Sequence, residues 1–289
     1  MANAHDHHPG DPQSLHPPGI EESPEQQTNV TPLVELSQVS AFYGATPALQ
    51  KVSLKIWPRQ FMAIVGPNGG GKTTLLRAIL GMIPLASGSV RLRGKELRRG
   101  ALERIGYVPQ LETIDWNFPI TVEEVIAMGY FVKHRWFGGI GDKEQRKLHE
   151  IMERLNLSGL GNRHIRELSG GQQQAVFIGR ALLGEPELIL LDEPASGLDI
   201  SSRDDVIHFL HEINHQGVAI VLTAHDLNWV AAHLPWVVCL NRRLIAEGKP
   251  HQVFNPDVLK ETYSGELVVM QQDGMVMIGE RPHAAHTED

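Results

Sequence analysis

The stretch Gly66-Pro67-Asn68-Gly69-Gly70-Gly71-Lys72-Thr73-Thr74 narrows the possible folds more than any other part of the chain. It fits the pattern Gly-x4-Gly-Lys-[Ser/Thr] and lies between an apolar run, Phe61–Val65, and a helical pattern that begins at about Lys72. Glycine has no Cβ, so the loop can turn its N–H groups inward onto phosphate oxygens, and the helix start adds a favourable field. Lys72 is placed to reach the β- and γ-phosphates of a nucleoside triphosphate, and Thr73 to ligate Mg²⁺. A strand, loop and helix in that order belong to an α/β sheet.

A second set of groups follows 120 residues beyond Lys72. Leu188–Leu191 is a short apolar run that ends in Asp192-Glu193-Pro194, which sets both carboxylates at the C-terminal end of a buried strand, where α/β sheets bind ligands. Asp192 suits a Mg²⁺ contact through water, and Glu193 suits the general base that activates an attacking water. Further β-like runs lie at Val34–Val39, Val52–Ile56, Val218–Thr223 and Trp236–Leu240, and Asn241-Arg242-Arg243-Leu244 reads as a turn into another short strand. The core is therefore expected to be a mostly parallel sheet. From Leu111 onward the pattern changes: Thr121 with Glu124, and Asp142 with Gln145, have the spacing of capping boxes that open helices. These signals predict a helical subdomain over about 111–180, inserted into an α/β domain spanning 32–265.

Composition bounds what else the chain can do. There are 34 acidic and 26 basic residues, but residues 1–31 hold five acids and no base, and the body is near neutral. No basic patch is visible, so nucleic acid is not expected as a partner. Residues 1–31 are rich in Pro, Gln, His and acids, and predict a disordered tail. Its His5, His7, His8 and His16 either collect metal ions or are simply solvated. Residues 266–289 read as a C-terminal extension, partly disordered. The single cysteine, Cys239, lies in an apolar run and fits a reducing compartment. With no run of about 18 apolar residues and no secretory signal at residues 1–30, any membrane role is expected to come through a partner.

Many nucleotide hydrolases share the two motifs above, and the segment Leu168-Ser169-Gly170-Gly171-Gln172 separates them. It resembles the signature sequence of ATP-binding cassette (ABC) ATPases and stands 20 residues ahead of Leu188, as in that family. Other positions match in turn. Gln110 resembles the glutamine that touches Mg²⁺ and hinges the helical subdomain, and Gly197-Leu198-Asp199 resembles the loop that crosses to an opposing subunit. His225 resembles the switch histidine that holds the γ-phosphate, and Tyr43 resembles the aromatic residue that stacks on adenine. The resemblance implies the fold of that family, a P-loop α/β core with an antiparallel β subdomain. It implies ATP and Mg²⁺ as ligands, and two copies of the chain sandwiching two ATP molecules. It further implies integral membrane permease subunits as partners, at the cytoplasmic face of the cell membrane. Two positions depart from the family pattern: Ala175 stands where a basic residue is common, and Gly179 where alanine is usual.

The segment Ile114–Val122, with Trp116, Phe118 and Pro119, resembles ATPases of the manganese, zinc and ferrous-iron importers. That resemblance implies a divalent metal cargo and, indirectly, a metal-binding substrate-binding protein. Trp116 and Phe118 either anchor the membrane subunit or pack within the helical subdomain. Import of a siderophore, haem or cobalamin is the neighbouring alternative. A non-transport ABC ATPase is more remote, since the chain has one phosphate loop and no long coiled-coil insert. An inactive regulatory cassette is disfavoured by the presence of Glu193 and His225.

Overall fold

The structure is a computed structural model and describes residues 30–97, 101–114, 116–130, 141–265, 267–272 and 275–280. Residues 1–29 of the expected 1–31 tail, with its histidines, and residues 281–289 of the expected 266–289 extension lie outside the described residues, as does Asp115.

A six-stranded sheet carries the architecture. It contains β3 (Phe61–Val65), β6 (Ile105–Val108), β7 (Leu188–Leu191), β8 (Ala219–Ala224), β9 (Trp236–Asn241) and β10 (Arg243–Gly248), in the order β10-β9-β3-β8-β7-β6. All neighbours are parallel except β10 and β9. Strands β3, β7 and β8 are buried along their whole length, which their unbroken apolar runs require of a sheet covered on both faces. Side chains of β3 alternate between two cores. Phe61, Ala63 and Val65 face one that includes Ile207, Leu210 and Ile213, while Met62 and Ile64 face the other with Leu75, Leu76 and Ile79.

The second core is closed by α1 (Lys72–Ile79) and by an antiparallel sheet of β1 (Val34–Tyr43), β2 (Thr46–Ile56), β4 (Ser87–Leu92) and β5 (Lys95–Glu96), ordered β2-β1-β4-β5. Strands β1 and β2 run longer than the apolar pattern suggested. A register shift between Leu36 and Val39 interrupts the alternation there, and Gln50, Lys51, Ser53 and Lys55 on the outer face look polar in sequence.

Among the described residues, three α-helices lie in the segment between β6 and β7: α2 (Val122–Ala127), α3 (Asp142–Arg154) and α4 (Gly170–Leu183). The capping box at α2 forms as expected: Thr121 N–H donates to Glu124 Oε2 at 2.8 Å, and Thr121 Oγ1 accepts from Glu124 N–H at 3.3 Å. The expected box at Asp142 does not form. Gly141 is the N-cap of α3 with no side-chain cap, and Gln145 instead donates to the Glu123 carboxylate. The preceding glycine can adopt the cap geometry itself, which leaves Gln145 free to tie α3 to α2. Gly179 sits where α4 meets its neighbours, and a Cβ there would lie 3.0 Å from Leu155 Cδ1 and 3.2 Å from Ile151 Cγ2.

Beyond the sheet, α5 (Ile200–His215), α6 (Leu227–His233), α7 (Pro250–Val253) and α8 (Pro256–Tyr263) follow, and then a hairpin of β11 (Leu267–Gln272) and β12 (Met275–Glu280). This hairpin lies in the expected C-terminal extension. It docks on α6, where Asn228 Nδ2 donates to Ile278 O at 2.9 Å and Asn228 Oδ1 accepts from Ile278 N–H at 2.7 Å. No helix among the described residues is long and apolar enough to cross a membrane.

Candidate active site

The loop between β3 and α1 owes its shape to crowding. A Cβ on Gly66 would lie 1.9 Å from the Leu240 carbonyl oxygen of β9, and one on Gly71 (φ +97°) 2.5 Å from the Ala48 carbonyl oxygen. Only glycine lets the main chain pass so close to both neighbouring strands. Gly71 is also the N-cap of α1, so the helix start points its free N–H groups into the loop.

A cavity of about 850 Å³ opens over this loop. Asn68, Gly69, Gly70, Gly71, Lys72, Thr73 and Thr74 line it, together with Tyr43, Gln110, Glu193 and His225 from four other parts of the chain. Gly66 and Pro67 form the loop's base: Lys72 Nζ donates to their carbonyl oxygens at 2.9 and 3.1 Å. Burial holds the Lys72 ammonium below its ordinary pKa, while the nearby Glu193 and Asp192 carboxylates pull the other way.

The acids at the end of β7 are held from several sides. Asp192 is buried, and its Oδ1 accepts from Thr73 Oγ1 at 3.1 Å and from Thr223 Oγ1 at 2.8 Å. Thr223 Oγ1 in turn accepts from the Glu193 N–H at 2.9 Å. Glu193 has left-handed backbone, φ +52°, a conformation that side chains rarely adopt and that is stored at functional positions. Its Oε2 accepts from Gln110 Nε2 at 3.2 Å, and its Oε1 is bonded to His225 Nε2. His225 Nδ1 lies 3.5 Å from Lys72 Nζ. An ammonium only donates, so Nδ1 is the acceptor and Nε2–H the donor to Glu193. The Thr73 hydroxyl and the Asp192 carboxylate adjoin each other, with the Gln110 amide on the same cavity wall, and such oxygen groups are the donor set that a hard divalent cation prefers.

Tyr43, at the end of β1, is half exposed on the rim, and its phenol oxygen raises the Arg77 pKa by accepting a hydrogen bond. The remaining expected residues are not brought into the cavity. Ser169 caps α4 in a capping box with Gln172, and Gly170 and Gly171 form its first turn. Asp199 caps α5, with its carboxylate accepting from Ser202 N–H at 3.0 Å and Ser202 Oγ at 2.8 Å. A Cβ on Gly171 would meet Ser202 Oγ at 2.9 Å, so these two helix starts adjoin each other.

The expected aromatic pair splits. Trp116 packs edge-on against Phe177, ring centroids 6.3 Å apart, while Phe118 is 61 % exposed. Sequence reasoning passed over Thr223 and Arg242. A lone hydroxyl near the end of the apolar strand β8, two residues before His225, was the signal for Thr223; Arg242 carried none, because its sequence reads as an ordinary turn.

A family model described as ABC transporter matches residues 49–196. The chain belongs to the ABC transporter family. As an ABC ATPase it binds ATP and hydrolyses it, and its fold is that of the family. A manganese transport system ATP-binding protein, MntB, of Halalkalibacterium halodurans is 38 % identical over 86 % of this chain and 99 % of its own length. A zinc transport system ATP-binding protein, TroB, of Treponema pallidum is 37 % identical over 81 % of this chain and 88 % of its own. Among solved structures, a nucleotide-free ATP-binding cassette from an ABC transporter superposes with a TM-score of 0.70 at 27 % identity, covering 79 % of this chain and 98 % of that one.

Proposed function

We propose that this ABC ATPase powers a membrane importer of a divalent transition metal, manganese or zinc. The observation that carries the cargo is the near full-length match, at 38 and 37 % identity, to ATP-binding subunits named for those two metals. ATP enters the cavity with its phosphates on the Gly69–Lys72 amides and its adenine against Tyr43. Thr73, Gln110 and Asp192 would hold Mg²⁺, which would supply neutralisation of phosphate charge. Glu193, fixed by Gln110 and His225, takes the proton of the attacking water, and His225 then faces the γ-phosphate.

Two copies of the chain complete the site. The Ser169–Gln172 helix start and Asp199 of each copy face the phosphate loop of the other. Segment 111–180 moves as a helical subdomain within an ATPase domain spanning 32–265, and Phe118 on it docks a membrane permease at the cytoplasmic face of the cell membrane. A metal-binding substrate-binding protein delivers the ion outside. The test is uptake of labelled Mn²⁺, Zn²⁺ and Fe²⁺ by a strain lacking this gene. Manganese or zinc uptake is expected to fall and to return with the native chain but not with Glu193→Gln; unchanged uptake of all three overturns the metal cargo.

A further inference from the structure

The turn between β9 and β10 puts a second cation on the wall of the nucleotide cavity. Arg242 has left-handed backbone, φ +59°, which a residue with a Cβ disfavours and glycine would not. Its peptide is tied on both sides: its N–H donates to Gly70 O at 2.7 Å, and its carbonyl accepts from Gln50 N–H at 2.7 Å. The turn is thereby fastened to the phosphate loop and to β2 at once. The Arg242 residue is exposed and lines the cavity beside Asn68, Gly69 and Gly70.

The charges around that cavity need such a group. Glu112 and Glu193 line it, and Asp192 lies behind Thr73. Lys72 is committed to the Gly66 and Pro67 carbonyls and faces His225. Arg242 has no ion pair among the described residues, whereas its neighbour Arg243 is paired with Glu261 at 2.8 Å. A guanidinium is always charged and offers planar donors matched to phosphate oxygens.

We propose that Arg242 is a nucleotide-binding residue whose guanidinium contacts the phosphates of bound ATP. This rests on the reading of the cavity as the ATP site. The experiment is calorimetric titration of the full chain with ATP and ADP at low and high salt, for Arg242→Gly, Arg242→Asn, Arg242→Lys, Arg243→Ala and Lys72→Ala. Glycine and asparagine both accept left-handed backbone, so these variants remove the charge while leaving the turn unstrained. Both are expected to weaken ATP binding roughly tenfold and to flatten its salt dependence, since a lost charge-assisted contact is of that order. Arg242→Lys should recover part of the loss, and Arg243→Ala should bind as the native chain does. Native affinity in Arg242→Gly and Arg242→Asn, with binding lost in Lys72→Ala, overturns the role of Arg242 alone. Native affinity in Lys72→Ala overturns the nucleotide site itself.

Discussion

The phosphate-loop half of the site and the signature half differ in how much a single chain finishes. Around the loop, residues from α1, from the C-terminal ends of β7 and β8 and from the segment after β6 are joined by hydrogen bonds, from Thr73 to Asp192 to Thr223 and from Gln110 through Glu193 to His225. Among the described residues, Ser169, Gln172 and Asp199 bond within their own helix starts, and they stand outside that cavity. The first half is a cavity with its chemistry in place. The second is a preformed pair of helix N-termini, at α4 and α5, which in the proposed dimer would meet the phosphate loop of a second copy.

That contrast can be broken most sharply at Glu193. Glu193→Gln keeps the size of the side chain but removes the base, so steady-state hydrolysis should fall by about 10²-fold or more while ATP affinity in calorimetry stays near native. Retained hydrolysis would take the general-base role away from Glu193. The next effect is at Thr223, a buried hydroxyl serving Asp192 and the Glu193 amide together. Thr223→Val leaves an amide and a carboxylate oxygen without this partner, and denaturant unfolding should show a loss of about 2 kcal/mol, along with reduced hydrolysis.

On the signature side, Ser169→Ala should cost about 1 kcal/mol of stability as a lost helix cap. If the second half serves another copy, hydrolysis falls further than that, about tenfold, with no change in how a single chain binds ATP. A fall in ATP affinity for the isolated chain would instead place Ser169 in its own cavity. The smallest effect belongs to Gly179. Alanine gains about 1 kcal/mol of helix propensity, part of which is offset by crowding Leu155 and Ile151. Leu155 is only partly buried and can give way, so Gly179→Ala should raise the melting temperature by about 1 to 2 °C.

The same two halves explain what was readable from sequence. The phosphate loop, the apolar strand before Asp192 and the strand before His225 are local patterns, and local patterns specify local structure; their meeting in one cavity follows from the parallel sheet they imply. Features set by tertiary contact were not legible. The Asp142 box gives way to a Gly141 cap because Gln145 has a partner on α2. Arg242 reaches the cavity only because its turn is tied to Gly70 and Gln50. The β11–β12 hairpin did carry a signal, Asp273-Gly274 between two apolar runs, and its docking on Asn228 gives that part of the expected extension a partner.

The claim that one chain holds only part of a working site is tested most directly by the mass of Glu193→Gln in solution. Light scattering should give a monomer without nucleotide and twice that mass with saturating ATP and Mg²⁺, and adding Ser169→Arg to the same chain should keep it monomeric. An unchanged monomer mass for Glu193→Gln, measured with ATP demonstrably bound, would contradict the account.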